Sequence, residues 1–135
     1  MEKAVQLLIA DDDALDRQLL KEAFKKAGAD MVLDFVVDGE ELMEYLAHKP
    51  MPTLLLLDLN MPRKTGKEAL RDIRSDSKLK VLPTVILSTS NADFDVRESY
   101  ELGANWFLVK PSSFNELIAM CETLCSWVKI GQFPN

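Results

Sequence analysis

The stretch TLLLLDLNMP (residues 53–62) joins an uninterrupted apolar run to a carboxylate, Asp58. Four consecutive leucines are typical of a strand buried on both faces of a sheet, because a half-exposed strand alternates apolar and polar residues. An aspartate at the end of such a run is unusual, since burying an unpaired carboxylate is costly. We therefore interpret Asp58 as a residue at the mouth of the sheet, where water and ligand reach it.

Outward from this strand, apolar runs and amphipathic stretches alternate along the chain. The predicted strands are residues 5–10, 31–37, 53–57, 83–87 and 105–109. The predicted helices are residues 15–27, 40–48, 67–76, 92–102 and 114–129. Strands and helices in strict alternation predict an α/β fold, in which helices cover a parallel sheet.

Helix-start signals support this division. Two stretches carry a capping box, in which a Ser or Thr cap is followed three residues later by Glu: Thr65 with Glu68, and Ser113 with Glu116. Weaker cap candidates with an acid three residues later are Asp13, Asp38 and Ser90. Gly28, Gly103 and Gly131 stand where helix C-caps are expected.

Composition and charge exclude several classes of protein. At 135 residues, the chain has the length of one domain with a proper core, and we predict a single domain over residues 1–135 with a tail from about residue 131. A net charge of −6 disfavours nucleic-acid binding. No apolar run is long enough to span a membrane, and the N-terminus lacks a signal-peptide pattern, so we expect a cytoplasmic protein. Cys121 and Cys125 are interpreted as buried core residues, because no partner ligands accompany them.

Polar side chains follow four of the predicted strands, at the carboxyl ends where open α/β sheets bind ligands. The set comprises Asp11, Asp12, Asp13, Asp58, Asn60, Ser88, Thr89, Ser90 and Lys110. Three neighbouring carboxylates, those of Asp11, Asp12 and Asp58, would repel one another unless a cation lies among them. Hard oxygen ligands at an open edge suit Mg²⁺, which keeps several of its waters.

Together these motifs resemble the receiver domains of bacterial two-component response regulators. The resemblance covers nearly the whole chain and rests on LLIADDD (7–13), LLLLDLNMPRKTG (54–66), LPTVILSTS (82–90) and GANWFLVKP (103–111). Stand-alone receivers that act with phytochrome-type histidine kinases are the most similar group. The resemblance implies a flavodoxin-like (CheY-like) doubly wound sheet of five parallel strands in the order 2-1-3-4-5, with five helices.

The resemblance also implies roles for the polar residues. Asp58 would accept a phosphoryl group from a sensor histidine kinase or a phosphotransfer protein. The ligands of Mg²⁺ or Mn²⁺ would be Asp11, Asp12, Asp58 and the backbone carbonyl of Asn60. The phosphoryl group would be contacted by Lys110 and Ser88, and the conformational switch would involve Ser88 and Phe107. The lifetime of the phosphoryl group would be tuned by Asn60, Thr89 and Ser90. The Lys110–Pro111 peptide would be cis, and catalysis would be limited to self-phosphorylation and autodephosphorylation.

Four large apolar side chains are candidates for a partner surface: Phe94, Trp106, Met120 and Trp127. Phe94 is on the polar side of the fourth helix, Met120 and Trp127 lie beside the core stripe of the last helix, and Phe133 follows in the tail. They either cover the edges of the core or form a partner or homodimer surface on the fourth helix, fifth strand and fifth helix. Aromatic and methionine side chains are frequent anchors of such surfaces. Both interpretations stay open at the level of sequence.

Alternative functions also stay open. A haloacid-dehalogenase-type aspartyl phosphatase also uses an Asp after an apolar strand, but it requires a second acid two residues later, where this chain has Asn60. A flavodoxin-like binding module needs a phosphate-cradling loop after the first strand, where this chain has three aspartates, Asp11, Asp12 and Asp13. A receiver fold that is never phosphorylated is a third alternative.

Overall fold

The structure is a computed structural model that describes residues 5–134. Strands and helices alternate from the first described residue onwards, as the apolar pattern predicts. They are β1 (Val5–Ala10), α1 (Ala14–Lys26), β2 (Met31–Val36), α2 (Gly39–His48), β3 (Leu54–Leu57), α3 (Gly66–Ser75), β4 (Thr84–Ser88), α4 (Asp93–Glu101), β5 (Trp106–Val109) and α5 (Phe114–Ile130). A short 3₁₀ turn at Leu79–Val81, which the sequence analysis does not predict, precedes β4. Within the described part, no helix combines the length and apolar character needed to cross a membrane.

The five strands form one parallel sheet in the order β2-β1-β3-β4-β5, which confirms the predicted topology. In this order β1 and β3 are neighbours, and Ala10 pairs with Leu57 at their carboxyl ends. The next residue of each strand is an aspartate, and the Asp58 N–H donates to the Ala10 carbonyl at 3.0 Å. The topology therefore brings Asp11 and Asp58 together at one edge of the sheet.

The leucine run of β3 is buried because both faces of the sheet are covered. Leu55 and Leu57 point into a core layer that includes α2 and α3, whereas Leu54 and Leu56 point into a layer built with α1 and α5. Side chains alternate between the two faces of a strand, so a strand between two apolar layers needs apolar residues at every position. Cys121 and Cys125 lie buried and unpaired in the second layer, as predicted.

Most of the predicted helix caps are confirmed. Thr65 and Glu68 form a full reciprocal capping box, and the Ser113 side chain accepts from the Glu116 N–H. Asp13 and Asp38 cap α1 and α2 in the same way. The proposed Ser90 cap is wrong, because Ala92 occupies the cap position of α4 and makes no side-chain hydrogen bond.

Gly66 packs where no larger residue fits. A Cβ atom at this position would lie 2.1 Å from the Asp58 carbonyl oxygen and 2.8 Å from the Leu59 Cα. The Gly66 N–H donates to the Leu59 carbonyl at 3.0 Å, which closes the loop between β3 and α3. Gly66 thereby lets the start of α3 lie against the backbone of Asp58.

Gly66→Ala is expected to lower the free energy of unfolding by about 3 kcal/mol, because its Cβ meets backbone that cannot rotate away. Gly28→Ala is the matched control, since Gly28 has a φ of +75° but nothing within 4 Å of an added Cβ. The control is expected to cost about 1 kcal/mol, from backbone strain alone. Urea denaturation of both variants measures the difference, and equal losses would contradict the close approach at Gly66.

Candidate functional site

The ammonium group of Lys110 lies at the centre of the candidate site. Its Nζ lies 2.8 Å from Asp11 Oδ2, 2.9 Å from Asp16 Oδ2 and 3.5 Å from Asp58 Oδ2. Lys110 follows β5 directly, and its backbone N–H donates to the Ser88 carbonyl at 2.8 Å. The ends of β1, β3, β4 and β5 and the first turn of α1 therefore meet around one cation.

Asp11 is held by contacts from three directions. Its side chain is only 2% exposed, and its Oδ1 accepts from the Asp13 N–H at 2.9 Å. The Arg17 guanidinium donates to the Asp11 backbone carbonyl at 2.8 Å. Because Lys110 takes the remaining carboxylate oxygen, Asp11 is fixed in position before any ligand binds.

Asp58 lies at the carboxyl end of β3, at the edge of the sheet as predicted, but it is buried, with 7% of the residue exposed, so the expectation that water reaches it readily is wrong. The chain does not leave the interior at this point, because Leu59 and Met61 are themselves buried in the core layer of α2 and α3. The Asn60 N–H donates to Asp58 Oδ1 at 3.3 Å. Lys110 is the cation that accompanies this carboxylate.

Burial raises the pKa of Asp58 above its ordinary value, while the charge of Lys110 lowers it and that of Asp11 raises it. Burial alone would lower the pKa of Lys110. Its hydrogen bonds with Asp11 and Asp16, together with the nearby Asp58 charge, outweigh burial and raise that pKa. Lys110 is therefore a permanent cation at neutral pH, although most of its side chain is shielded from water.

Asp11, Asp12 and Asp58 form the predicted acidic cluster. One carboxylate oxygen from each residue lies within 4.8 Å of the other two. Asp11 and Asp58 are buried and Asp12 is exposed, so a cation held here would retain access to water. Hard oxygen donors with an open side fit Mg²⁺ or Mn²⁺, so these residues suit the ion that the sequence analysis predicts. The Asn60 N–H donates to Asp58, and the role of the Asn60 carbonyl as a metal ligand stays a prediction.

The hydroxyl residues after β4 occupy distinct environments. Ser88 is fully buried, and its Oγ accepts from the Ser90 N–H at 3.2 Å. Thr89 is exposed, whereas the Ser90 hydroxyl donates to Asp95 at 2.5 Å. Asp95 also accepts from Lys67 of α3 at 2.7 Å, so the loop after β4 is tied to two helices. The sequence analysis did not predict this link between the β4–α4 loop and the two helices, because it placed Lys67 and Asp95 only within predicted helices.

Phe107, the other predicted switch residue, lies on β5. Phe107 is half-buried against the core layer of α2 and α3, and its N–H donates to the Tyr100 hydroxyl at 3.1 Å. The predicted cis peptide before Pro111 is wrong, since no peptide bond in the described part of the chain is cis. The trans isomer is the energetically preferred form of a peptide bond to proline.

The four proposed surface residues divide into separate groups. Trp106 and Trp127 make an edge-to-face pair with ring centroids 6.1 Å apart. Met120 is half-buried against the core layer of α1 and α5. Phe94, on α4, is 70% exposed and lies under the Lys67 ammonium, 4.7 Å from the ring centroid. Phe133 adds to the tryptophan pair, because its ring packs on Trp127 at 5.7 Å.

Asp16 is the other site residue that sequence reasoning missed. The pattern identified it only as the acid three residues after the Asp13 cap, and its side chain points to Lys110 instead of back to the helix start. The one available signal was its position on the first turn after β1. That signal is weak, because acids are common in the first turn of any helix.

Comparison with known proteins accords with this arrangement. Residues 7–122 match the response regulator receiver domain family. The response regulator Rcp1 of Synechocystis is 35% identical over 135 residues, which cover 95% of this chain and 92% of Rcp1. The chemotaxis protein CheY1 of Helicobacter pylori is 30% identical over 107 residues, covering 79% of this chain and 86% of CheY1.

Two solved structures have the same fold along nearly their full length. The crystal structure of the Mn²⁺-bound form of Rcp1 has a TM-score of 0.88 and 34% identity, covering 97% of this chain and 99% of Rcp1. The phosphorylated cyanobacterial phytochrome response regulator RcpA has a TM-score of 0.91 and 31% identity, covering 98% of this chain and 100% of RcpA.

Proposed function

Because this chain belongs to the response regulator receiver domain family, we propose that it is a phosphorelay switch in which Asp58 receives the phosphoryl group. Receiver domains of this family signal through phosphorylation of an aspartate and pair with histidine kinases or phosphotransfer proteins. We infer in addition which residues of this chain perform the reaction, and that the reaction depends on a divalent cation.

The observation that carries the proposal is the position of Asp58. Its carboxylate ends a central strand, is shielded from bulk water, and has the Lys110 ammonium 3.5 Å away. Asp11 and Asp12 contribute further carboxylates within 4.8 Å. A nucleophilic carboxylate beside a fixed cation and a set of hard oxygen ligands is the arrangement that phosphoryl transfer to an aspartate needs.

In the proposed reaction, a carboxylate oxygen of Asp58 attacks the phosphorus of a phosphohistidine or of a small phosphodonor. A phosphorus–oxygen bond forms as the bond from phosphorus to the donor nitrogen or oxygen breaks, and the product is an acyl phosphate on Asp58. Mg²⁺, when bound, would supply positive charge that offsets the repulsion between the carboxylate and the phosphoryl oxygens. Water later attacks the acyl phosphate and restores Asp58 as a carboxylate with release of inorganic phosphate.

Lys110 and Ser88 respond to the new charge in this proposal. The Lys110 ammonium pairs with a phosphoryl oxygen, and the Ser88 hydroxyl donates to another. Ser88 is fully buried, and in this proposal its hydroxyl turns toward the phosphoryl group. The half-buried Phe107 ring then fills the space that Ser88 leaves. This movement shifts the equilibrium between two conformations of the surface formed by the β4–α4 loop and β5.

Incubation with acetyl phosphate and Mg²⁺ is expected to add one phosphoryl group to the protein, because Asp58 is the one proposed nucleophile of the acidic cluster. Asp58→Asn is expected to add none, and removal of Mg²⁺ with EDTA is expected to prevent the reaction in the unaltered protein. Intact-mass spectrometry measures all three. Glu22→Gln, an exposed change on α1, is the matched control and should react normally. Equal phosphorylation of Asp58→Asn would contradict the assignment of the phosphoacceptor.

We further propose that Asn60, Thr89 and Ser90 set the lifetime of the acyl phosphate. The Asn60 N–H donates to Asp58 Oδ1, and the Ser90 N–H donates to Ser88 Oγ, so both residues lie next to groups of the proposed reaction. The Ser90 hydroxyl is held by Asp95, which limits where it points.

Ser90→Ala and Asn60→Ala are each expected to change the rate of dephosphorylation, because each removes a polar side chain from a residue that is bonded to Ser88 or Asp58. The decay of the phosphorylated protein, followed by intact mass after removal of the donor, measures the rate. Ser112→Ala, an exposed serine outside this loop, serves as the control. Decay rates equal to that of the control in both variants would remove Asn60 and Ser90 from this role.

For the output surface we propose a protein contact, with a second copy of the chain as the first candidate, through α4, β5 and α5. The Trp106–Trp127 pair and the exposed Phe94 ring flank this surface, and aromatic rings are frequent anchors of protein contacts. Residues 1–135 would then work as one receiver domain in the cytoplasm. The similarity to RcpA supports a phytochrome-type kinase as the partner that phosphorylates it.

Trp127→Ala is expected to weaken self-association or coupling to the kinase, because it removes an aromatic anchor and the support of Trp106. Sedimentation velocity before and after phosphorylation measures association, and phosphotransfer from the cognate kinase measures coupling. Glu122→Ala, an exposed change on the same helix, is the control. If both properties stay at the control level, the residues only cover the edge of the core.

The alternative functions receive no support. The matching family is that of receiver domains, and the residue two positions after Asp58 is Asn60, where an aspartyl phosphatase of the haloacid-dehalogenase type needs an acid. The loop after β1 presents carboxylates at the position where a flavodoxin-like module needs a phosphate cradle.

A further inference from the structure

We propose that Asp16 is a positioning residue, which holds the Lys110 ammonium in a resting place and must release it when Asp58 becomes phosphorylated. The inference rests on the proposed phosphorylation of Asp58. It adds a residue outside the acidic cluster that competes with the phosphoryl group for Lys110.

Distances in the site define the competition. Lys110 Nζ lies 2.9 Å from Asp16 Oδ2 but 3.5 Å from Asp58 Oδ2. The first distance is that of a strong charge-assisted hydrogen bond, whereas the second lies at the outer limit of hydrogen bonding. In the unphosphorylated protein, Lys110 is therefore bound to α1 and to Asp11 more closely than to the nucleophile.

The helix start does not explain the orientation of the Asp16 side chain. Asp13 caps α1 by accepting from the Asp16 N–H at 2.9 Å. In a capping box the acid at position three would return the bond to the cap N–H, but the Asp13 N–H donates to Asp11 instead. The cap thus fixes the Asp16 backbone and leaves its carboxylate free to reach across to Lys110.

Charge explains why this contact matters for the reaction. Four carboxylates lie at the site, those of Asp11, Asp12, Asp16 and Asp58. The Asp16 side chain is 34% exposed, whereas that of Lys110 is 13% exposed. An incoming phosphoryl group needs Lys110 as its counter-ion, so every carboxylate already bound to Lys110 opposes the transfer. Because Asp16 is partly exposed, water can replace Lys110 as its hydrogen-bond partner. Asp11 is buried, so water cannot replace Lys110 there.

Asp16→Asn is expected to speed phosphorylation by acetyl phosphate at saturating Mg²⁺ about two- to fivefold, the size appropriate to a partly exposed ion pair. Asp16→Glu should react like the unaltered protein, because a longer carboxylate can still reach Lys110. Glu22→Gln removes one negative charge from α1 at an exposed position and is the control for net charge. Initial rates by intact mass give the comparison, and urea denaturation of each variant verifies that folding is retained.

A second measurement does not depend on catalysis. Mn²⁺ affinity, measured by titration calorimetry, is expected to fall in Asp16→Asn, because the released Lys110 competes with the metal for Asp11 and Asp58. In a Lys110→Met background the same substitution removes only one charge, so its effect on affinity should be at least about twofold smaller. The four proteins form a double-mutant cycle that isolates the contribution that passes through Lys110.

The outcomes separate this inference from the proposed function. If the unaltered protein is phosphorylated but Asp16→Asn reacts no faster than Glu22→Gln, Asp16 is not a competitor for Lys110. Equal effects of Asp16→Asn on metal affinity with and without Lys110 would likewise overturn the inference, since the effect would then be that of charge alone. If instead no variant is phosphorylated while the metal cycle shows coupling, the positioning of Lys110 stands and the assignment of Asp58 as phosphoacceptor fails.

Discussion

The contact between the Lys110 ammonium and three surrounding carboxylates is the interaction on which the site depends. Asp11 and Asp58 are almost entirely buried, and buried carboxylates without a counter-charge would be strongly destabilising. Lys110 provides that charge from the end of β5, on the far side of β4 from Asp58. The acidic edge is therefore stable only when β5 is correctly placed, which couples the chemistry of the site to the position of the last strand.

The same edge is arranged for change. Lys110 has three carboxylates within reach and holds only two of them closely, so the proposed phosphoryl group on Asp58 would change which oxygens Lys110 binds without unfolding the loops. Ser88 and Ser90 link the loop after β4 to the site, and Asp95 links that loop to α3 and α4. In the proposed function, a change of charge at Asp58 would reach α4 through Lys110, Ser88, Ser90 and Asp95, which are joined in sequence by hydrogen bonds.

Much of this architecture was predictable from local pattern. The strand and helix positions, the order of the sheet and the residues of the acidic cluster follow from apolar periodicity and from motifs that resemble a known family. The failures concern details that apolar periodicity does not encode. Asp58 is buried because Leu59 and Met61 continue into the core, and Ser90 does not cap α4 because the helix begins only at Asp93, with Ala92 at the cap position.

The sequence by itself determined that a central strand ends in an aspartate and that acids, hydroxyls and an amine follow its neighbours, because hydrophobic periodicity and residue order are local properties. Only the tertiary structure decided how those groups share their charges. It placed Asp16 against Lys110, although the two residues are 94 positions apart in the chain. Hydrogen bonds of this kind depend on distances of a few tenths of an ångström and on exclusion of water, which arise only when the sheet and helices are packed together.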